Sequence, residues 1–184
     1  MDLSIVIPLF NESDSIFELN KKINEIISNS NIDVEIIYVD DGSTDETPTL
    51  LADIMVVQPE LRAIRHRECR GQSAAIATGV AAARANLIAT LDGDGQNDPS
   101  DIPSLLARYR EASARNSAAL MVTGHRTMRK DVWLRRSSSR IANGIRGAML
   151  KDDTPDTGCG LKIFPREAFM AMPQFNHMHR FLPA

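Results

Sequence analysis

Apolar and polar positions along the chain follow two rhythms in alternation. Residues 3–9 (LSIVIPL) form a short apolar run rich in branched side chains, the pattern of a strand buried on both faces. Ile16, Leu19, Ile23 and Ile26 then recur at helical spacing, with Ser13 and Asp14 placed to cap that helix. Residues 35–39 (EIIYV) read as a second buried strand. Thr44 and Asp45 open a helix expected to reach about Val56, with Pro48 tolerated in its first turn. A weaker third strand falls at 61–66, and a helix of small residues at 71–84, with Ala77, Ala81 and Ala85 expected against a sheet. A fourth strand at 86–91, a helix at 100–114, a strand at 119–123 and a helix at 132–149 follow. Strands alternating with helices predict an α/β fold, a mostly parallel sheet flanked by helices on both faces. The 184 residues make one domain, 1–184, without repeat or linker. The pattern breaks off at Arg180-Phe181-Leu182-Pro183-Ala184, which reads as truncated at the C-terminus.

Composition adds exclusions. With 43% apolar and 24% charged residues the chain reads as soluble and globular, and a net charge of −3 argues against a nucleic-acid partner. The charges are segregated: seven Lys or Arg and only Asp131 lie between His125 and Arg146, while acids crowd 40–46, 92–101 and 152–156. That separation suggests one surface for metal ions and another for an anion. Cys69 and Cys159 form no C-x-x-C pair, which excludes a structural zinc site and suits a reducing compartment. No secretory signal is visible, and the longest apolar stretch, 74–89, is interrupted by Arg84 and Asn86, so these residues are not expected to span a membrane.

In open α/β sheets ligands bind beyond the carboxyl ends of the strands. Three predicted strands end there in polar clusters: Pro8-Leu9-Phe10-Asn11-Glu12, Asp40-Asp41-Gly42-Ser43 and Asp92-Gly93-Asp94-Gly95-Gln96. One cluster is explained as well by a helix cap; three on one edge are not. Asp92 and Asp94, separated by one small residue, suit a hard divalent cation bridging a diphosphate, with Gln96 as a further oxygen ligand. An EF-hand is excluded, because loop positions six and twelve are Asn97 and Pro103. Asp40 and Asp41 are placed to accept hydrogen bonds from a nucleoside. Gly71 and Ser73 open a helix whose N-terminus favours phosphate. Arg126 precedes a helix carrying Arg135, Arg136 and Arg140, either a solvated basic face or an anion site. Asp156 lies in an acidic loop and could orient or deprotonate an acceptor, as could His125, His177 or His179.

The ordered set Ile7-Pro8-Leu9-Phe10-Asn11-Glu12, Val39-Asp40-Asp41-Gly42-Ser43-Thr44-Asp45, Arg70-Gly71-Gln72-Ser73-Ala74-Ala75 and Asp92-Gly93-Asp94-Gly95-Gln96-Asn97-Asp98-Pro99 resembles the family 2 glycosyltransferases of the GT-A fold. The later half, from Gly124-His125-Arg126 to Asp156-Thr157-Gly158-Cys159, is similar to the dolichol-phosphate mannose synthase branch, whose bacterial members glycosylate undecaprenyl phosphate. The resemblance implies an inverting enzyme moving a sugar from a UDP- or GDP-linked donor to a polyprenyl phosphate. Pro8, Glu12 and Asp41 would hold the nucleoside, within a donor-binding set that also takes in Asn11, Asp40, Gly71, Ser73 and Asp92. Asp92, Asp94 and Gln96 would hold Mg2+ or Mn2+. Arg126 and Arg140 would hold the lipid phosphate, with Asp94 and Asp156 completing the catalytic set. The family's metal motif often reads Asp-Ala-Asp-Leu-Gln, so Gly93 and Gly95 imply a more flexible loop here. The resemblance places the protein at the cytoplasmic face of the membrane, held by C-terminal helices that are missing from this chain; self-association into a homo-oligomer is left open.

A sugar-phosphate nucleotidyltransferase would need a Gly-rich basic loop where Asn11-Glu12-Ser13 stands, and a receiver-like signalling domain a late-strand lysine that cannot be placed. Donor binding without turnover and transfer to a saccharide acceptor stay open as alternatives.

Overall fold

Seven consecutive residues of Leu3–Leu9 (β1) are buried, and their side chains divide by parity. Leu3, Ile5, Ile7 and Leu9 enter one apolar cluster, and Val6 enters another on the opposite face. That two-residue period is what a strand covered on both sides requires. The computed structural model describes residues 1–58, 61–115, 121–124 and 159–173. The helix expected over 132–149, Arg126, Arg140 and Asp156 therefore lie outside the described residues.

After β1 come Ile16–Asn29 (α1), Val34–Asp40 (β2), Thr47–Val57 (α2), Arg62–Arg65 (β3), Gln72–Ala82 (α3) and Leu87–Thr90 (β4). A 3-10 turn at Pro99–Asp101 leads into Ile102–Arg115 (α4), followed by Val122–Thr123 (β5), Lys162–Pro165 (β6) and Arg166–Ala171 (α5). The sheet order is β3-β2-β1-β4-β6-β5. β1 pairs in parallel with β2 and β4, β2 with β3, while β6 runs antiparallel to both β4 and β5. Consecutive strands thus fill the sheet to one side of β1 and then to the other, which opens a crevice at the carboxyl ends of β1 and its neighbours.

Ile16, Leu19 and Ile23 of α1, Leu51 and Ile54 of α2 and Leu105, Leu106 and Tyr109 of α4 pack on one face. Ala75, Ile76 and Val80 of α3 and Phe169 of α5 pack on the other. Helices on both faces match the expectation. Of the three alanines expected against the sheet, Ala77 is half-buried and packs on the Val6 cluster and Ala85, just past α3, is buried, whereas Ala81 is exposed. The buried residues of the helix itself are Ala75, Ile76, Gly79 and Val80. Gly79 is decisive there, because a Cβ would overlap the Val6 side chain.

The helix starts also shift. α1 begins at Ile16 behind Ser15, and Ser15 Oγ donates away from its own helix, to the Gly93 carbonyl at 2.7 Å. α2 begins at Thr47, where Asp45 Oδ1 accepts from the Thr47 N–H at 3.0 Å. Residues 13–14 and 44–45 are thus spent on joining loops. Pro48 lies in the first turn of α2 as expected.

Candidate active site

The loops after β1, β2 and β4 meet at the carboxyl edge of the sheet, and side chains lock the first two together. Asn11, at φ 57, accepts from the Thr44 N–H at 2.9 Å through Oδ1, and its own N–H donates to Ser43 Oγ at 2.9 Å. The Glu12 N–H donates to Thr47 Oγ1 at 2.9 Å and the Ser13 N–H to Asp45 Oδ2 at 3.2 Å. Between these loops and the start of α3 lies a cleft of about 450 Å³. Pro8, Phe10, Glu12, Asp41, Cys69, Gly71, Gln72, Asp92 and Asp94 are among its walls.

Asp41 is 2% exposed, and its carboxylate is encircled. Oδ1 lies 2.6 Å from His66 Nδ1 and accepts from the Arg70 N–H at 3.0 Å. Oδ2 accepts from the Gly71 N–H at 2.7 Å and from the Cys69 thiol at 3.4 Å. Burial pushes this carboxyl up, and the hydrogen bonds from Arg70, His66, Cys69 and Gly71 outweigh that and hold it below its ordinary value. An ionised carboxylate only accepts, so Nδ1 is the protonated nitrogen of His66, and Nε2 lies 2.9 Å from Thr78 Oγ1. Four acceptor positions of Asp41 are met by the protein, the thiol being the longest contact. Gly71 takes φ 90 with open space around it, so this glycine serves backbone conformation.

Across the cleft, Asp92 Oδ1 accepts from Gln72 Nε2 at 2.8 Å and Oδ2 from Asn97 Nδ2 at 3.2 Å. Asp94 is exposed, and its Oδ1 accepts from the Gln96 N–H at 3.0 Å. Burial and the charges of Asp94, Asp45 and Asp92 push the Glu12 carboxyl up, against a lowering hydrogen bond from Ser15. Three carboxylates facing one cleft make a concentration of negative charge that a cation would relieve. The donors that line the cleft, Glu12, Asp92 and Asp94, are all oxygens, the type a hard divalent ion such as Mg2+ or Mn2+ prefers, and Gln96 follows on the same loop. Among the described residues no three His, Cys, Asp or Glu side chains form a metal-binding group by themselves. Gly93 is also a packed residue, since a Cβ would stand 2.5 Å from Leu9 Cδ2 and 3.0 Å from the Pro8 carbonyl oxygen, whereas Gly95 adopts φ 69 in open space. Only the second glycine is there for backbone conformation.

Of the residues singled out in the sequence, Pro8, Glu12, Asp41, Gly71, Asp92 and Asp94 converge on the cleft. Asn11 is committed to the loop clasp. Asp40, 1% exposed, accepts from the Ser43 N–H at 2.9 Å and forms an ion pair with Arg65 Nε at 3.1 Å. Ser73 stands in the first turn of α3 and Gln96 on the exposed loop after Asp94. The sequence patterns give no site role to Gln72, Cys69 or Asn97. Gln72 and Asn97 stand inside the quoted motifs and Cys69 beside one, but the partners of Gln72 and Cys69 are 20 and 28 residues away and only folding brings them together.

Residues 4–172 match the model of the glycosyl transferase family 2. A dodecaprenyl-phosphate galacturonate synthase from Rhizobium johnstonii is 39% identical over 188 residues, covering 100% of this chain and 54% of its own length. An undecaprenyl-phosphate 4-deoxy-4-formamido-L-arabinose transferase from Enterobacter sp. is 33% identical over 183 residues, covering 98% and 54%. The chain therefore spans about half the length of these curated relatives. In fold it is similar to the glucosyl-3-phosphoglycerate synthase from Mycobacterium tuberculosis in complex with UDP, with TM-score 0.69 at 19% identity over 94% of this chain and 59% of that one. A mannosyltransferase from Pyrobaculum calidifontis in complex with GDP-Man and Mn2+ gives 0.66 at 23% identity over 94% and 47%. The six-stranded, mostly parallel sheet is thus the GT-A architecture. By the span of that family match and by its relatives, the chain belongs to the glycosyl transferase family 2.

Proposed function

We propose that the chain is the donor-binding catalytic domain of an inverting glycosyltransferase. It moves a sugar from a UDP- or GDP-linked donor to a polyprenyl phosphate, at the cytoplasmic face of a membrane. The observation that carries this reading is the convergence of Glu12, Asp92 and Asp94 on one cleft walled opposite by Gly71 and Gln72, the start of α3. Neighbours of the same fold carry UDP, or GDP-Man with Mn2+, and the relatives are named for transfer to polyprenyl phosphates.

Pro8 and the loop held by Asp41 frame the nucleoside. Since four acceptor positions of Asp41 are taken, contact with a base or ribose exchanges one of them, and the 3.4 Å thiol contact of Cys69 is the weakest. Asp92, Asp94 and Gln96 hold Mg2+ or Mn2+, whose Lewis acidity offsets charge on the diphosphate. The N-terminal end of α3 adds positive potential on the same side of the cleft. The acceptor phosphate, with a second pKa near ~6, is already an anionic nucleophile at neutral pH. Arg126 and Arg140 hold it, and Asp156 orients it for attack at the anomeric carbon, opposite the departing nucleoside diphosphate.

Calorimetric titration of UDP and GDP tests the donor site. Affinity for one of them is expected to rise about tenfold or more with Mn2+ over EDTA, and Asp94→Asn to remove most of that gain with an unchanged circular dichroism spectrum. Equal affinity in Mn2+ and EDTA would overturn the reading.

A further inference from the structure

Residues 159–161 lead into β6, which runs antiparallel to β4, and bring the far half of the chain to the Asp92 loop. Three contacts join this segment to β4 and the loop after it. Thr90 Oγ1 donates to the Gly160 carbonyl at 2.7 Å. From the start of β6, the Lys162 ammonium, itself 4% exposed, donates back to the Cys159 carbonyl. The Cys159 thiol donates to Asn97 Oδ1 at 3.4 Å, which turns the Asn97 amide nitrogen toward Asp92 Oδ2 at 3.2 Å. The third contact is steric. A Cβ built on Gly160 would overlap the Asp92 carboxylate, whose Oδ2, Cγ and Oδ1 are its three nearest atoms. Among the described residues the glycines at positive φ are Gly42, Gly71 and Gly95, and Gly160 is not one of them. Space, and not backbone conformation, demands a glycine at this position.

We propose that Gly160 is a positioning residue for the donor site: the missing side chain seats the Asp92 carboxylate against the backbone before β6, where Gln72 and Asn97 each bind one of its oxygens. The proposal rests on the reading of Asp92 and Asp94 as the metal-holding pair, and it concerns what orients the first of them. Gln72 comes from α3, Asn97 from the loop before α4 and Gly160 from the approach to β6, so three separate segments set one carboxylate. Groups that orient a metal-holding carboxylate are commonly worth about 10- to 100-fold in metal affinity.

A double-mutant cycle on the full chain tests this, with Mn2+ alone and UDP or GDP with Mn2+ as probes in calorimetry. Gly160→Ala is expected to weaken Mn2+-dependent nucleotide affinity by about tenfold or more, and affinity in EDTA by no more than about twofold. In an Asp92→Ala background, where the added methyl meets no carboxylate, Gly160→Ala is expected to cost nothing further, whereas a merely structural role would still show. Should Gly160→Ala alone fail to fold, the double variant is expected to fold; its failure would overturn the proposal, as would additive losses or an unaffected single variant. A wild-type chain indifferent to Mn2+ would instead overturn the reading of the site, and the proposal with it.

Discussion

Asp41 shows how much one buried carboxylate organises. Its partners His66, Cys69, Arg70 and Gly71 are consecutive parts of the loop between β3 and α3, so the charge folds that loop into a cleft wall. Asp41→Ala leaves the His66 ring nitrogen and two backbone N–H groups short of an acceptor, a loss of about 2–3 kcal/mol in stability by urea denaturation. Under the proposed function this loop frames the nucleoside, so UMP and UDP affinities are expected to fall by a similar factor in calorimetry. A loss confined to UDP would assign Asp41 to the diphosphate instead. The carboxyl lies below its ordinary value of 3.8 in the folded protein. Its contribution to stability is therefore full above that ordinary value and is lost as pH falls through the lower folded one. The wild type should accordingly show more acid destabilisation below pH ~4 than Asp41→Asn does.

At the scale of elements, the sheet is tied at its opposite edge by a second buried carboxylate. Glu35 of β2 accepts from Ser4 Oγ of β1 at 2.6 Å and from the Arg84 N–H after α3 at 2.6 Å. Arg62 of β3 completes the group at 3.1 Å, and its guanidinium also donates to the Ala82 carbonyl at the end of α3 at 2.8 Å. Burial pushes the Glu35 carboxyl up, and these hydrogen bonds with the Arg62 charge bring it net down. Glu35→Ala strips an acceptor from three elements and should cost about 3 kcal/mol in chemical denaturation. Nucleotide affinity should survive, because Glu35 stands at the amino-terminal edge of the sheet. A loss below 1 kcal/mol, about what an exposed pair gives, would show that the network adds little.

At the scale of the whole molecule, the proposed function asks for two chemistries on one chain. The described loops build the cleft that would take the donor, and the basic segment that would hold the acceptor lies outside the described residues. Arg126 and Arg140 have few acids near them in sequence, and a charge-assisted contact to phosphate is worth about 1.5–3 kcal/mol. Arg126→Ala and Arg140→Ala are each expected to cut transfer to polyprenyl phosphate by about tenfold or more, with donor affinity by calorimetry unchanged. Abolished donor binding would move the basic segment to the diphosphate; no effect on either measurement would make it a solvated face.

The alternation of buried runs and amphipathic periods was enough to predict β1 to β4, the helices between them and the shared edge on which Glu12, Asp41, Asp92 and Asp94 meet. Those features follow from local rules: period, turn residues, and the direction a parallel strand must take. The antiparallel β6 and α5 were not predicted. In Lys162–Pro165 a buried lysine opens a run of only four residues, and its strand character comes from pairing with β4, some seventy residues earlier. The same distance hid the seat of Asp92 on Gly160, because the need for a glycine there is a matter of space, which no local pattern expresses. Likewise Asp40 and Asp41 are neighbours of one chemical type in sequence. Only packing decides that Asp40 turns to Arg65 and the Ser43 amide while Asp41 turns to the cleft wall, since alternate residues of a strand end face opposite sides.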